Sequence, residues 1–435
     1  MFYNKKWNLL YTYCILIIFA VGIYLVPFCS ESLAKTKVTI EPMLTLSGQM
    51  DTNFFRTEDN EREVYTYLIQ PGLHLGSETP KSKLHLYYTL DANLFEDKSS
   101  VPEGEKPADE QNYIGHIVNF DGSYSPFEKL ILVLNDQFNI TRRPIESDYY
   151  YYNLEEEKYW VNRFTPGIFY YVTPRFSAGL RYRRTDLDYY HSDDEDYIEH
   201  RVLIDILYNP TRTTTLDLDY QRWTRGYRED LYDRDYSTDW IRLLGEKRFK
   251  HFSFDGGIGY HEPSEDAENQ DVINWLVSAT WQNPPPPEET RLVGSRIIRA
   301  KSHIYAALEN NFNNLGDYYD DYVARRFTWS IAHFFLQKLS VGIRGYHEND
   351  DYQFETGETP AGNIEGREDD IYDISGNIAY LIKEKMSVSF TLGHEKCDSN
   401  LAGYDYENDY YMLHFNFNYD ITGRGGFSKE ASYYR

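Results

Sequence analysis

Nine charged residues stand at alternate positions inside long stretches that switch between apolar and polar side chains: Asp91, Arg181, Arg183, Arg201, Asp205, Asp217, Asp219, Asp255 and Arg344. Groups of these types act through their field without making or breaking bonds. If the stretches enclose a space, opposed charges either line a wet pore and set its selectivity or pair across the space and close it. The width of the enclosure described below favours the pore.

Bond-making chemistry has little support. The chain has no G-x-S-x-G, no H-E-x-x-H, no Gly-rich phosphate loop and no cysteine pair for a metal, so the chain reads as neither an enzyme nor a cofactor binder. A local repeat is the one place where a metal would fit. Gly226-Tyr227-Arg228-Glu229, Gly259-Tyr260-His261-Glu262 and Gly345-Tyr346-His347-Glu348 recur, with Gly393-His394-Glu395 a shortened version. A His/Glu rim could hold divalent cations, and loop carboxylates could bridge them to lipopolysaccharide phosphates. No acidic run has the spacing of a calcium loop, so the preferred reading is structural: the tyrosine anchors at an interface and the polar pair begins a loop.

The elements that carry these residues are strands. In Leu84–Leu94, Leu84, Leu86, Tyr88, Leu90, Ala92 and Leu94 form one face, and His85, Tyr87, Thr89, Asp91 and Asn93 the other. About eighteen such segments follow one another with no helix between them, near 38–55, 62–76, 82–95, 112–124, 129–142, 158–172, 175–187, 196–208, 213–226, 236–248, 251–262, 271–282, 299–313, 320–335, 338–348, 369–382, 385–397 and 407–421. Most exceed the roughly 9–11 residues that a tilted strand needs to cross a bilayer. The pattern predicts an all-β fold, a transmembrane antiparallel up-and-down β-barrel of about eighteen strands, with sixteen as the alternative. Clean apolar faces fix the register: Phe252, Phe254, Ile258 and Tyr260 on one strand, Ile273, Trp275, Val277, Ala279 and Trp281 on the next, and Tyr411, Leu413, Phe415, Phe417 and Tyr419 on the last.

The connections alternate in chemistry. Short turns carry Lys81, Lys83, Lys129, Arg175, Arg212, Lys250, Lys338, Lys383 and Lys385, and Pro126, Pro174 and Pro210 are expected to open three of them. Long connections carry the acid, as in Glu155-Glu156-Glu157, Asp193-Asp194-Glu195-Asp196 and Asp350-Asp351. Short turns on one side and longer loops on the other match bacterial outer-membrane barrels. That asymmetry places both termini and the basic turns in the periplasm. Pro284–Pro287 interrupts one short turn and reads as a longer, rigid connection, with a partner-docking segment as the alternative.

Composition agrees. Mean hydropathy is −0.63 with 26% charged residues, values that a barrel reaches because every lipid-facing residue alternates with a polar one. The 42 tyrosines suit membrane–water interfaces, and so many aromatics exclude a disordered acidic chain. A formal charge of −25 excludes nucleic acid as a partner. Residues 1–34 read as a secretory signal, with Lys5 and Lys6, an apolar core over Cys14–Val26 and a Ser32-Leu33-Ala34 cleavage site; an uncleaved anchor is the alternative. Residues 35–421 form the barrel, and 422–435 a tail or the end of the last strand. Loss of Cys14 and Cys29 with the leader leaves Cys397 alone, so no intrachain disulfide is expected.

Ile40-Glu41-Pro42 at the first strand, the tyrosine–proline turns at Tyr124–Pro126, Tyr171–Pro174 and Tyr208–Pro210, and the Gly-Tyr strand ends resemble the β-barrel porin family of Gram-negative bacteria, often associated with exopolysaccharide gene clusters. The resemblance spans nearly the whole chain after residue 34. It implies an outer-membrane location, no catalytic residues, and a porin-like passive channel or an exopolysaccharide export conduit. Its partners would be outer-membrane lipid and lipopolysaccharide, the barrel-assembly machinery, polysaccharide and periplasmic export components. The alternative is a closed barrel with a surface adhesion or structural role for its acidic, tyrosine-rich loops. One departure is the C-terminal Tyr433-Tyr434-Arg435, where such barrels usually finish on an aromatic; Leu413, Phe415, Phe417 and Tyr419 could serve as an internal version of that signal.

Overall fold

The computed structural model describes residues 36–142, 158–190, 196–228, 235–263, 272–283, 301–313, 322–335, 338–352, 366–383 and 385–418. The expected leader, the Pro284–Pro287 segment, Tyr419 and the C-terminal tail lie outside them.

The alternating stretches form eighteen strands: β1 Lys37–Asp51, β2 Val64–Glu78, β3 Ser82–Asp97, β4 Tyr113–Phe127, β5 Leu130–Thr141, β6 Tyr159–Thr173, β7 Phe176–Tyr189, β8 Tyr197–Thr211, β9 Thr214–Tyr227, β10 Tyr236–Arg248, β11 Phe252–Pro263, β12 Val272–Asn283, β13 Ser302–Asn313, β14 Tyr322–Phe335, β15 Leu339–Tyr352, β16 Glu368–Lys383, β17 Met386–Ser399 and β18 Tyr406–Asn418. Each pairs antiparallel with its sequence neighbours. β1 also pairs with β18, from Met43↔Asn418 to Asp51↔Tyr410, and so closes the sheet. Closure leaves no open edge to be satisfied by another chain or by water that a bilayer lacks. The chain is a closed, eighteen-strand, up-and-down transmembrane barrel, as its period-two pattern predicts.

One face of the wall is apolar and exposed. Ile258, Ile273, Val277 and Leu413 expose 57–60% of their surface, far more large apolar surface than a soluble sheet leaves uncovered. Aromatics stand on this outward face near both ends: Tyr124, Tyr208, Phe252 and Tyr380 toward the short turns, and Tyr67, Tyr260 and Tyr372 toward the long connections. The opposite face carries buried polar groups such as Asp91, Asn274, Ser278 and Glu348.

Three features differ from the sequence-based expectation. Pro126 and Pro210 do not open turns. They lie in β4 and β8 at register shifts between Tyr124 and Phe127 and between Tyr208 and Thr211. A bulge already leaves one residue unpaired, so proline's missing N–H removes no ladder bond there. Only Pro174 sits in the turn itself. β1 ends at Asp51, four residues early, because Phe54 folds into a small apolar cluster with Val64 and Ala108.

The third concerns the Gly-Tyr repeat, which does not share one orientation. Tyr260 faces outward, 39% exposed, whereas Tyr227 is buried on the inward face. A one-residue difference in where the repeat begins relative to the pleat sends its side chains to opposite faces.

Candidate functional site

The inward wall of β7–β10 brings six of the nine candidate residues together. Arg181, two strand positions above Gly179, clamps Asp205 of β8 through Nε and Nη2 at 3.0 and 2.7 Å. Asp205 faces Asp219 of β9 in the register. Asp219 accepts from Arg242 of β10 through both Nε and Nη2, and from Gln221 Nε2 at 2.9 Å. Asp217 lies next along β9, and its inward Oδ1 is buried without a hydrogen-bond partner.

Higher on the same wall the sign reverses. Arg183 and Arg201 face each other directly across β7 and β8. Arg201 bonds Glu199 at 3.0 Å and lies 4.1 Å over the Trp223 ring. Glu199 also takes Arg225 Nη2 at 3.2 Å, so one buried carboxylate serves two arginines. Arg183 has Arg201, Arg163, Glu199 and Arg181 as charged neighbours, and its Nε is buried without a partner.

The register orders these groups along the barrel axis. From the short-turn end, the inward residues of β9 are Asp217, Asp219, Gln221, Trp223, Arg225 and Tyr227. At about 3.3 Å per residue, Asp217 and Arg225 are roughly 26 Å apart along the strand. The wall therefore runs from carboxylate to guanidinium and ends in a buried cluster of Tyr159, Val161, Leu187, Tyr197 and Tyr227.

The other three candidates sit apart. Asp91 is wholly buried, holding Gln70 Nε2 at 2.8 Å and the Tyr113 hydroxyl at 3.3 Å. Asp255 accepts from Ser278 Oγ at 3.1 Å. Arg344 donates through Nε to Ser375 Oγ at 3.0 Å and remains exposed.

Sequence reasoning missed Glu199, Trp223, Arg225 and Arg242. Their inward parity was readable from the Asp217/Asp219 alternation. The apolar neighbours Trp240 and Leu244 share Arg242's face and hid it. A second inward set was also missed: Glu348 is held by Arg326, Asp369 by Arg367, and Glu395 by Arg56 at 3.0 Å.

The His/Glu rim does not assemble. His347 lies on the outward face, stacked on Tyr372 at 4.5 Å, while Glu348 points inward and is wholly buried. Adjacent strand residues face opposite sides, so neither this pair nor His394–Glu395 can chelate one ion. Among the described residues no group of three or more His, Cys, Asp or Glu is placed to hold a metal.

Residues 319–419 match the family described as Putative beta-barrel porin 2. This is the porin resemblance read from the sequence, now matched over the last five strands. No curated protein matches the chain in sequence. Among solved structures, Pseudomonas aeruginosa OccK7 (OpdD) is similar at a TM-score of 0.50 and 10% identity, covering 88% of this chain and 100% of its own. The outer membrane protein OpdK of P. aeruginosa gives 0.47 and 11%, covering 88% and 99%. Acinetobacter baumannii OccAB3 gives 0.46 and 9%, covering 88% and 100%. At such identities the likeness is one of fold.

Proposed function

We propose that the chain is a passive outer-membrane channel whose interior admits small polar and charged solutes, with the short turns and both termini on the periplasmic side. One observation carries the choice of a pore over a salt-bridged plug. Every described ion pair between inward strand residues joins the same or adjacent strands, as in Arg181–Asp205, Arg242–Asp219 and Arg326–Glu348, and Arg56, from the connection after β1, reaches only Glu395 on β17, two strands from β1. The pairs brace the wall and do not reach across the lumen. A barrel of this strand number has room for an aqueous channel, and Asp217 and Arg183, with no hydrogen bond or ion pair among the described residues, leave a net field for solutes to meet.

The candidate residues other than the wholly buried Asp91 would act on the permeation path, with Asp217 and Asp219 acting on cations and Arg183 and Arg201 on anions. The test is single-channel recording of the refolded protein in planar bilayers. Steady openings that respond to Asp217→Asn are expected. Silence from verifiably folded protein would overturn the channel and leave the closed barrel with a surface role. Block of the openings by long acidic oligosaccharides, with no block by short ones, would redirect the reading to a polymer conduit.

A further inference from the structure

The short-turn end repeats one construction eight times. The last residue of each turn offers its carbonyl to a backbone N–H at the end of the next hairpin. Lys81, Lys129, Arg175, Thr213, His251, Lys301, Lys338 and Lys385 accept from Ser125, Tyr171, Asn209, Arg248, Gln282, Phe334, Leu381 and Asn418, all at 2.7–2.9 Å. Six of these eight accepting residues are Lys or Arg. The other two, Thr213 and His251, directly follow Arg212 and Lys250. Each turn is thus tied to its neighbour, and every tie carries a cation at or next to the same position.

Seven of these charges stand exposed. Lys81, Lys129, Arg175, Arg212, Lys250, Lys301 and Lys338 are all exposed, and among the described residues none has an ion-pair partner. In a chain of net charge −25 such segregation is not compositional. Glu128 is an exposed acid at this end, whereas the opposite end exposes several, among them Asp59, Glu61, Asp398 and Glu407. Just inside the cation ring, the outward aromatics Tyr124, Tyr208, Phe252, Phe335 and Tyr380 form a girdle. Such girdles lie at the level of lipid headgroups. The cations therefore stand in the phosphate layer, spaced around the circumference of the wall.

We infer that the cations closing these eight connections form a ring of binding sites for the phosphates of anionic phospholipids in the leaflet at that end. This rests on the membrane-spanning reading. The attraction of a basic side chain to an anionic leaflet is about 1 kcal/mol. Multiplied around a rigid ring, it selects the annular lipid and holds the barrel at a fixed depth.

The test uses the full chain reconstituted in phosphatidylcholine vesicles carrying phosphatidylglycerol, with quenching of tryptophan emission by brominated forms of either lipid. Trp281 lies on the outward face at the short-turn end and reports the ring directly. The expected result is a preference for phosphatidylglycerol of about fivefold, the equivalent of about 1 kcal/mol. That preference falls to near unity at high salt and in a combined Lys81→Gln, Lys129→Gln, Lys250→Gln, Lys338→Gln variant whose folding is checked by heat-modifiable gel mobility. Equal quenching by both lipids in the native protein overturns the inference, as does a preference that survives in the variant. Loss of the preference on adding inorganic phosphate at matched ionic strength overturns a lipid site in favour of a free-anion site. Absence of quenching by either lipid overturns the membrane-spanning reading itself.

Discussion

Arg183 and Arg201 are direct register partners, two guanidinium side chains opposed on the inward face of β7 and β8. Like charges so placed destabilise a sheet. Glu199 relieves Arg201, but among the described residues Arg183 has no bonded partner. The arrangement keeps a positive field on the wall at a cost in stability. Arg183→Gln is expected to shift the reversal potential in a salt gradient toward cation selectivity, with stability unchanged or raised by roughly 0.5 kcal/mol. An unmoved reversal potential would mean that the field of Arg183 does not reach the permeation path.

Asp217 and Asp219 separate selectivity from stability. Asp217 makes no hydrogen bond among the described residues, whereas Asp219 holds Arg242 and Gln221. Asp217→Asn should move selectivity toward anions and leave the urea midpoint where it is. Asp219→Asn should do the same to selectivity and also leave Arg242 without its partner, at a cost on the order of 1–3 kcal/mol. Equal destabilisation by both substitutions would show that Asp217 has a structural partner after all.

Gly115 marks where the wall tolerates no side chain. A Cβ there would collide with the Ile140 carbonyl oxygen of the neighbouring strand. A backbone atom in a paired strand cannot swing aside as a flexible side chain can. Gly115→Ala should therefore destabilise the barrel by at least about 1–3 kcal/mol and disturb Asp91, which lies beside it. Gly48→Ala, with open space around its Cβ, is the control. A urea midpoint for Gly115→Ala equal to that of the control would count against the tight β4–β5 packing.

Much of the barrel was legible because one rule governs it. A strand with one lipid-facing side must alternate, and the clean faces Phe252–Tyr260 and Ile273–Trp281 set the parity of their neighbours. All eighteen expected strands are present, and the charged candidates lie opposite the apolar face. What sequence could not carry was pairing. The Arg201–Glu199–Arg225 chain and the Asp219–Arg242 clamp depend on register between strands, which no single stretch encodes. The repeat at Gly259 and Gly345 misled for the same reason, since like sequences fall on unlike faces when the pleat is offset by one. Pro126 and Pro210 misled because a bulge and a turn make the same demand on proline, a site with no ladder bond to lose.

The inward acids of β15 and β16 present the opposite balance to the arginine pair. Asp350 faces Asp369 directly across the hairpin and stands two positions from Glu348 on the same face. All three are at most 2% exposed. Arg326 holds Glu348 and Arg367 holds Asp369, but among the described residues no cation is bonded to Asp350, whose side chain is hydrogen-bonded to Glu348 and whose Oδ1 is unpartnered. Removing charge at the two positions should therefore have opposite signs. Asp350→Asn relieves the facing carboxylate and is expected to stabilise by about 1 kcal/mol. Glu348→Gln removes the carboxylate that holds the largely buried Arg326 and should cost on the order of 2–4 kcal/mol. Urea titration of the two variants in the same vesicles separates these outcomes. Destabilisation by Asp350→Asn would mean that its carboxylate, not its neighbours' repulsion, holds this corner of the wall.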